Sequence, residues 1–274
     1  MKHTLVVTVL LVALFLASHF VGLTILQKYY QPSQTVGGVV VKEAGWEELP
    51  YEIERPQLEE DTSFLSIAFF LVIASVLVFV LARFHLQKLW TVWFFLSVWF
   101  CLLVAFSAWL ADGAAFVVSL GLSFWRVLRK TAVVHNLTEV FLYGGLATIF
   151  VPFLSLSGIV ILLLLISVYD MIAVWQTKHM VTMAKFQTKM KLFAGLMIPY
   201  KGKAAILGGG DVGFPLLLSG VVLKSLGFVP ALVVSLFFAV GLLGLLLFST
   251  KGKFYPAMPF LTVAGLLGLA LVLV

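Results

Sequence analysis

Three stretches decide how this chain is read. LSGIVILLLLISVYDMIAVWQT (Leu156–Thr177) carries one acid, Asp170, in an otherwise uncharged apolar run. AAILGGGDVGFPLLLSGVVL (Ala204–Leu223) repeats the arrangement, with Asp211 behind three glycines. PAMPFLTVAGLLGLALVLV (Pro256–Val274) opens on two prolines three positions apart. Burying a carboxylate in hydrocarbon costs about 2.5–3.5 kcal/mol on insertion scales, so an acid there points to a function.

Around these stretches the whole chain is apolar. Of its 274 residues, 62% are hydrophobic and 11% charged, with a mean hydropathy of +1.13. A soluble domain carries about 25% charge. The reading is an all-α polytopic membrane protein of the cell membrane, a single membrane domain over 1–274. Within it, 1–153 form N-terminal scaffold spans and 154–274 carry the chemistry. The net charge of +6 does not indicate nucleic acid, because the basic residues sit in short loops between apolar runs. The one cysteine, Cys101, lies inside an apolar run and serves packing, so neither a disulfide framework nor a thiolate metal site is expected. No cofactor or metal is implied.

Nine spans are expected, at roughly 4–27, 64–82, 90–111, 113–130, 137–153, 157–176, 204–223, 227–249 and 255–274. The first is too long for a signal-peptide core of about 7–15 residues and reads as a retained span; His19 within it reads as a helix–helix contact. The fourth is the weakest, and Arg126, Arg129 and Lys130 would have to extend it by snorkelling to the interface. With the N-terminus cytoplasmic and the spans alternating, fourteen of the eighteen Lys and Arg fall inside and four outside. That bias sets the N-terminus in and the C-terminus out. Loop 28–62 holds eight of the twelve acids and reads as a solvated outer loop, with Val36–Val41 able to pair as a strand. Loop 177–202 is basic and cytoplasmic, a candidate interfacial segment. Asn136-Leu137-Thr138 is a glycosylation sequon on the cytoplasmic side and is read as chance. Glu139 sits near an inner end, where water or a nearby arginine can satisfy it.

Asp112 sits at an outer turn, which leaves Asp170 and Asp211. Asp170 lies eight residues before Lys178 and Asp211 eight residues after Lys203. At 1.5 Å per residue each sits about 12 Å from its first cytoplasmic lysine, on consecutive spans. Two carboxylates in contact in a low dielectric hold one proton between them. The ionised member can take a proton from water while the protonated one polarises a carbonyl. The same two acids also suit a proton relay or a cation site, and so a proton- or cation-coupled transporter or leak channel.

The neighbouring residues favour the first chemistry. Gly208-Gly209-Gly210 clear side chains beside Asp211, so another backbone can approach and the helix loosens easily; Gly209 and Gly213 also fit a small-residue packing face. A helical substrate must be unwound, and its freed backbone groups need partners, which an exposed strand edge supplies. Pro256, Ala257, Met258 and Pro259 favour extended backbone at a depth close to that of the aspartates. The competing reading is an ordinary proline helix start.

Tyr169-Asp170 in the sixth span, Gly208-Gly209-Gly210-Asp211 in the seventh and Pro256-Ala257-Met258 at the ninth together resemble the signature of presenilin and signal peptide peptidase, the GxGD intramembrane aspartyl proteases. Their order and spans make the likeness specific, and Met258 replaces the usual leucine at similar volume. The chain resembles a compact prokaryotic, archaeal-type presenilin homologue in its N-in orientation. The resemblance implies nine transmembrane helices and an aspartic endopeptidase with Asp170 and Asp211 as the catalytic pair. It implies that Gly208 and Gly210 position Asp211, and that Tyr169 and Pro256 to Pro259 shape the site. The partners it implies are the lipid bilayer and a single-span transmembrane protein or peptide substrate, with accessory subunits or a homo-oligomer left open. A prepilin-type peptidase shares Gly-x-Gly-Asp, but the Pro-Ala-Met-Pro element argues against it.

Overall fold

The computed structural model describes residues 4–36, 39–42, 44–55, 58–60, 62–84, 86–129, 131–177, 192–200, 202–250 and 255–274. Among them are nine α-helices: α1 (Leu5–Tyr29), α2 (Ser63–Arg83), α3 (Gln87–Ser107), α4 (Asp112–Arg129), α5 (Ala132–Phe150), α6 (Leu156–Ile172), α7 (Gly210–Leu226), α8 (Phe228–Phe248) and α9 (Met258–Leu273). Six segments are long and apolar enough to cross a membrane: α1, most of α2, α3, α5 with its 3-10 extension, α6 with the turn after it, and α8. Helix α9 is apolar but shorter.

Helix α7 is the hub. It packs against α1, α5, α6, α8 and α9, and Val212, Gly213 and every residue from Pro215 to Leu223 are buried. A helix apolar all round belongs inside a bundle. Glycines let its neighbours close in: a Cβ on Gly220 would stand 2.7 Å from Val151 and 2.8 Å from Leu26. Helix α1 crosses α5, α7 and α8. There His19 is indeed a helix–helix contact, with Nδ1 2.9 Å from the Ser235 hydroxyl, which donates to Ser219 at 2.9 Å. Helix α2 is peripheral, packing on α3 and α6, and exposes Phe69, Phe70, Val72 and Val76.

Three expectations are corrected. The seventh span does not begin at 204: Lys203–Gly208 form a strand, and the helix starts only at Gly210. The sixth loop, expected as an interfacial segment, contributes the partner strand Gly195–Tyr200, while residues 178–191 lie outside the described residues. In β6, Ala204, Ile206 and Gly208 alternate with Lys203, Ala205 and Leu207, a period-two pattern masked by the overall apolarity. Arg126 does not snorkel outward; it is 2% exposed and ion-paired with Glu139, itself fully buried. Helix α4 presents Ala115, Ser119, Ser123 and Arg126 along one buried face, so the arginine faces the protein rather than the interface.

In the loop between α1 and α2, β1 (Tyr30–Gln31) pairs with β4 (Gly45–Trp46), and β2 (Gln34–Val36) with β3 (Val39–Lys42), antiparallel in both cases. The valines read as strand-forming thus fall on β2 and β3, and Gly37-Gly38 lie outside the described residues. The hairpin before α7 is β5 (Gly195–Tyr200) and β6 (Lys203–Gly208), in register from Gly195↔Gly208 to Tyr200↔Lys203.

Candidate active site

Asp170 is buried in the last turn of α6, just before a five-residue π-helical turn, Ala173–Thr177. Asp211 is half-buried in the first turn of α7. The two helices pack together, and the aspartates lie close enough for the Asp170 charge to act on Asp211. The two acids thus stand on packed helices within electrostatic range of each other, though not through depth counting along two continuous helices. Strand β6 replaces the first turns of the seventh span, so Asp211 stands at a helix start rather than two turns inside one.

Pro256 to Pro259 close over Asp170. Pro256, Ala257 and Met258 are buried and Pro259 half-buried. Helix α9 begins at Met258, with Ala257 as its N-cap at φ −84°, ψ −36° and a proline in its first turn. The extended stretch before it is Tyr255-Pro256 alone among the described residues, so Met258 and Pro259 are a proline helix start after all. The Met258 amide donates to Asp170 Oδ2 at 3.1 Å, and the Ala257 amide also donates to this carboxylate. Asp170 thereby satisfies amides that a helix start leaves without intrahelical partners. Gly208 lies against Asp211, a Cβ built on it standing 3.2 Å from Oδ2. Each carboxyl thus stands at a helix start, Asp211 in the first turn of α7 and Asp170 at that of α9, where negative charge is stabilised.

The glycines divide by space. A Cβ on Gly208 would stand 3.2 Å from Asp211 Oδ2, and one on Gly209 3.0 Å from the Ala194 Cβ and 3.2 Å from its carbonyl. Gly210 has room, its nearest neighbour being Phe214 at 3.5 Å. Close approach is needed at Gly208 and Gly209 more than at Gly210. Tyr169 is half-buried beside Asp170. Gly195 has φ +145° and would put a Cβ 2.3 Å from the Leu207 carbonyl. The sequence reading passed over it because an isolated glycine in a basic loop carries no periodic signal.

An all-helical membrane protein of this architecture falls in the class of intramembrane aspartate proteases. Residues 36–274 match the family described as signal-peptide peptidase, presenilin aspartyl protease. Two solved structures of a presenilin family intramembrane aspartate protease, one in a C222 crystal form and one in a P2 form, superpose with TM-scores of 0.67 and 0.66 at 18% and 20% identity. Each comparison covers 96% of this chain, and 97% and 96% of the respective solved chains. No curated protein matches it in sequence. The chain belongs to the signal-peptide peptidase and presenilin family of aspartyl proteases. It is an aspartic endopeptidase and an integral, multi-pass membrane protein.

Proposed function

We propose that Asp170 and Asp211 are the catalytic dyad and that the protein cuts single-span transmembrane helices. The observation that carries this reading is that Asp170, bonded to the Met258 amide at the start of α9, and Asp211, in the first turn of α7, lie on packed helices within electrostatic range of each other. A water held between them loses a proton to the ionised aspartate as its oxygen attacks the scissile carbonyl carbon. The protonated aspartate donates to the carbonyl oxygen, giving a tetrahedral diol. The first aspartate then returns its proton to the amide nitrogen while a diol hydroxyl gives its proton to the second; the C–N bond breaks to leave a carboxylic acid and an amine, and the dyad again holds one proton.

The substrate must offer extended backbone to this site. Strand β6 has a single strand partner among the described residues, β5, and Ala204, Ile206 and Gly208 along it are exposed. A substrate segment unwound from its helix adds to that edge, and its freed amides and carbonyls are paired as it reaches the dyad. Cleavage then falls in the cytoplasmic third of the bilayer.

Nine crossings with the N-terminus inside remain part of this proposal, as does the division into scaffold 1–153 and catalytic 154–274. Two contacts support the alternation. Lys224 pairs with Glu60 at 2.6 Å, joining two loops assigned to the outside. His135 meets the Gly195 carbonyl at 2.6 Å, joining two segments assigned to the inside.

Detergent-purified protein is expected to cleave a transmembrane peptide, with Asp170→Ala and Asp211→Ala each inactive. A transition-state-analogue inhibitor of aspartic proteases should label the wild type and neither mutant. Full cleavage by either mutant refutes the dyad. Ion flux in liposomes that depends on both aspartates, with no peptide product, would favour a transporter instead.

A further inference from the structure

The segment that leads into Asp211 is held from outside by side chains of the scaffold half. Five backbone carbonyls within six residues each have a named donor. Leu192 receives Trp90 Nε1 of α3 at 3.2 Å, and Phe193 receives Arg126 Nη2 of α4 at 2.9 Å. Ala194 receives the Gly209 amide at 3.1 Å. Gly195 receives His135 Nε2 at 2.6 Å, and Met197 receives Asn136 Nδ2 at 2.7 Å, both from α5. The outward amides are taken as well: Gly195 donates to Glu139 Oε2 at 3.1 Å and Met197 to Asn136 Oδ1 at 2.9 Å.

Glu139 and Arg126 are the costly members. Each is a charge removed from solvent, at 0% and 2% exposure, and such a pair contributes little net stability compared with apolar residues of the same volume. What it does supply is direction. Arg126 binds Glu139, the Thr138 hydroxyl at 2.7 Å and the Phe193 carbonyl. That fixes the glutamate oxygen that receives Gly195. Gly195 pairs with Gly208 in the hairpin, and Gly208 lies against Asp211, a Cβ on it standing 3.2 Å from Oδ2. One turn along α5 from Glu139, Tyr143 lies 3.7 Å from where a Cβ on Gly213 would stand, with its buried hydroxyl in electrostatic range of both Glu139 and Asp211.

We propose that Arg126, Glu139 and His135 form a buried clasp on both backbone groups of Gly195, and that this clasp is a positioning device setting where Asp211 stands relative to Asp170. The inference rests on Asp211 being catalytic. None of the three side chains touches the reacting atoms; they act through β5, Gly208 and the turn at Gly209. The N-terminal half of the chain thereby enters the chemistry through the backbone of the hairpin.

The test replaces the ion pair by apolar residues of similar size, Arg126→Met with Glu139→Leu, and compares it with Glu139→Gln and His135→Gln. Each purified protein is measured for melting temperature, for hydrogen exchange of the 195–208 amides, and for kcat and KM on a transmembrane peptide. The double variant orphans the buried Gly195 amide and Phe193 carbonyl, so it is expected to melt below wild type while remaining folded, and to exchange faster in the hairpin. Its kcat should fall by about 10- to 100-fold with KM little changed, as expected when a reacting group is displaced by about an ångström. His135→Gln keeps a donor for the Gly195 carbonyl and should retain most of the activity. Glu139→Gln keeps an acceptor for the Gly195 amide but points an amide at Arg126, and should lie between the two; it decides the matter if the double variant fails to fold. Wild-type exchange and kcat in the double variant overturn the clasp. Faster exchange with unchanged kcat, while Asp211→Ala is inactive, overturns the positioning role and leaves the dyad standing. Activity persisting in Asp211→Ala defeats the dyad itself, and with it the reason for positioning, whatever the hairpin exchange shows.

Discussion

The Met258 backbone amide donates to the Asp170 carboxylate at 3.1 Å, although 88 positions separate the two residues in the chain. One side chain thus acts as the cap of α9 while standing in the candidate site. It explains why the Pro-Ala-Met-Pro element belongs with the aspartates: its value lies in an amide that the helix start leaves open.

Removing that amide tests its weight. Met258→Pro deletes the donor, but Ala257, at φ −84° and ψ −36°, must shift toward extended backbone before a proline, so helix content is measured beside cleavage. A hydrogen bond to a charged group is worth about 1.5–3 kcal/mol, and cleavage should drop by about 10- to 100-fold. Met258→Leu keeps both the amide and the volume and should be close to wild type. Equal activity in the two variants would remove the amide from the account.

The glycines should separate by position. Gly209→Ala forces a methyl against Ala194 at about 3 Å, at the junction between β5 and the α7 start, and should cut activity strongly. Gly210→Ala meets only Phe214 at 3.5 Å, ordinary contact, and should retain most activity. Peptide cleavage by the two mutants side by side reads the difference. Loss at Gly210 with tolerance at Gly209 would reverse the assignment.

Gly195→Ala is expected to be worse than either. Its φ of +145° is unfavourable for a side chain, and the methyl would stand 2.3 Å from the Leu207 carbonyl. The hairpin register should be lost, with both thermal stability and cleavage reduced. Gly244→Ala, with nothing within 4 Å, is the control and should melt like wild type.

A stability effect without a catalytic one is expected on the far side of α7. Ser235→Ala leaves His19 Nδ1 without its partner at 2.9 Å and breaks the link to Ser219. Orphaning a buried polar group costs about 1–3 kcal/mol, which should lower the melting temperature while the folded fraction keeps its kcat.

Much of the site was legible because charge in hydrocarbon is rare enough to stand out. Asp170 and Asp211 are acids in long apolar runs, and Pro256 and Pro259 interrupt the last one. Glu139 and Arg126 were equally charged but lay near span ends, where water is an available partner, so their burial could not be read. The β5–β6 hairpin was hidden for another reason. Ala204 to Leu207 are as apolar as a helix, and only pairing with Gly195–Tyr200 decides their conformation.

The amino-acid order alone determined a helical membrane protein, the acids it hides and the family they signal, since hydropathy and motif spacing are local properties that each segment carries with it. Tertiary structure decided that the seventh helix starts at Gly210, that Asp170 caps α9, and that Arg126 turns inward to Glu139. These outcomes depend on which backbone amides and charges lack a partner once the helices pack, and that pairing arises only between segments distant in the chain.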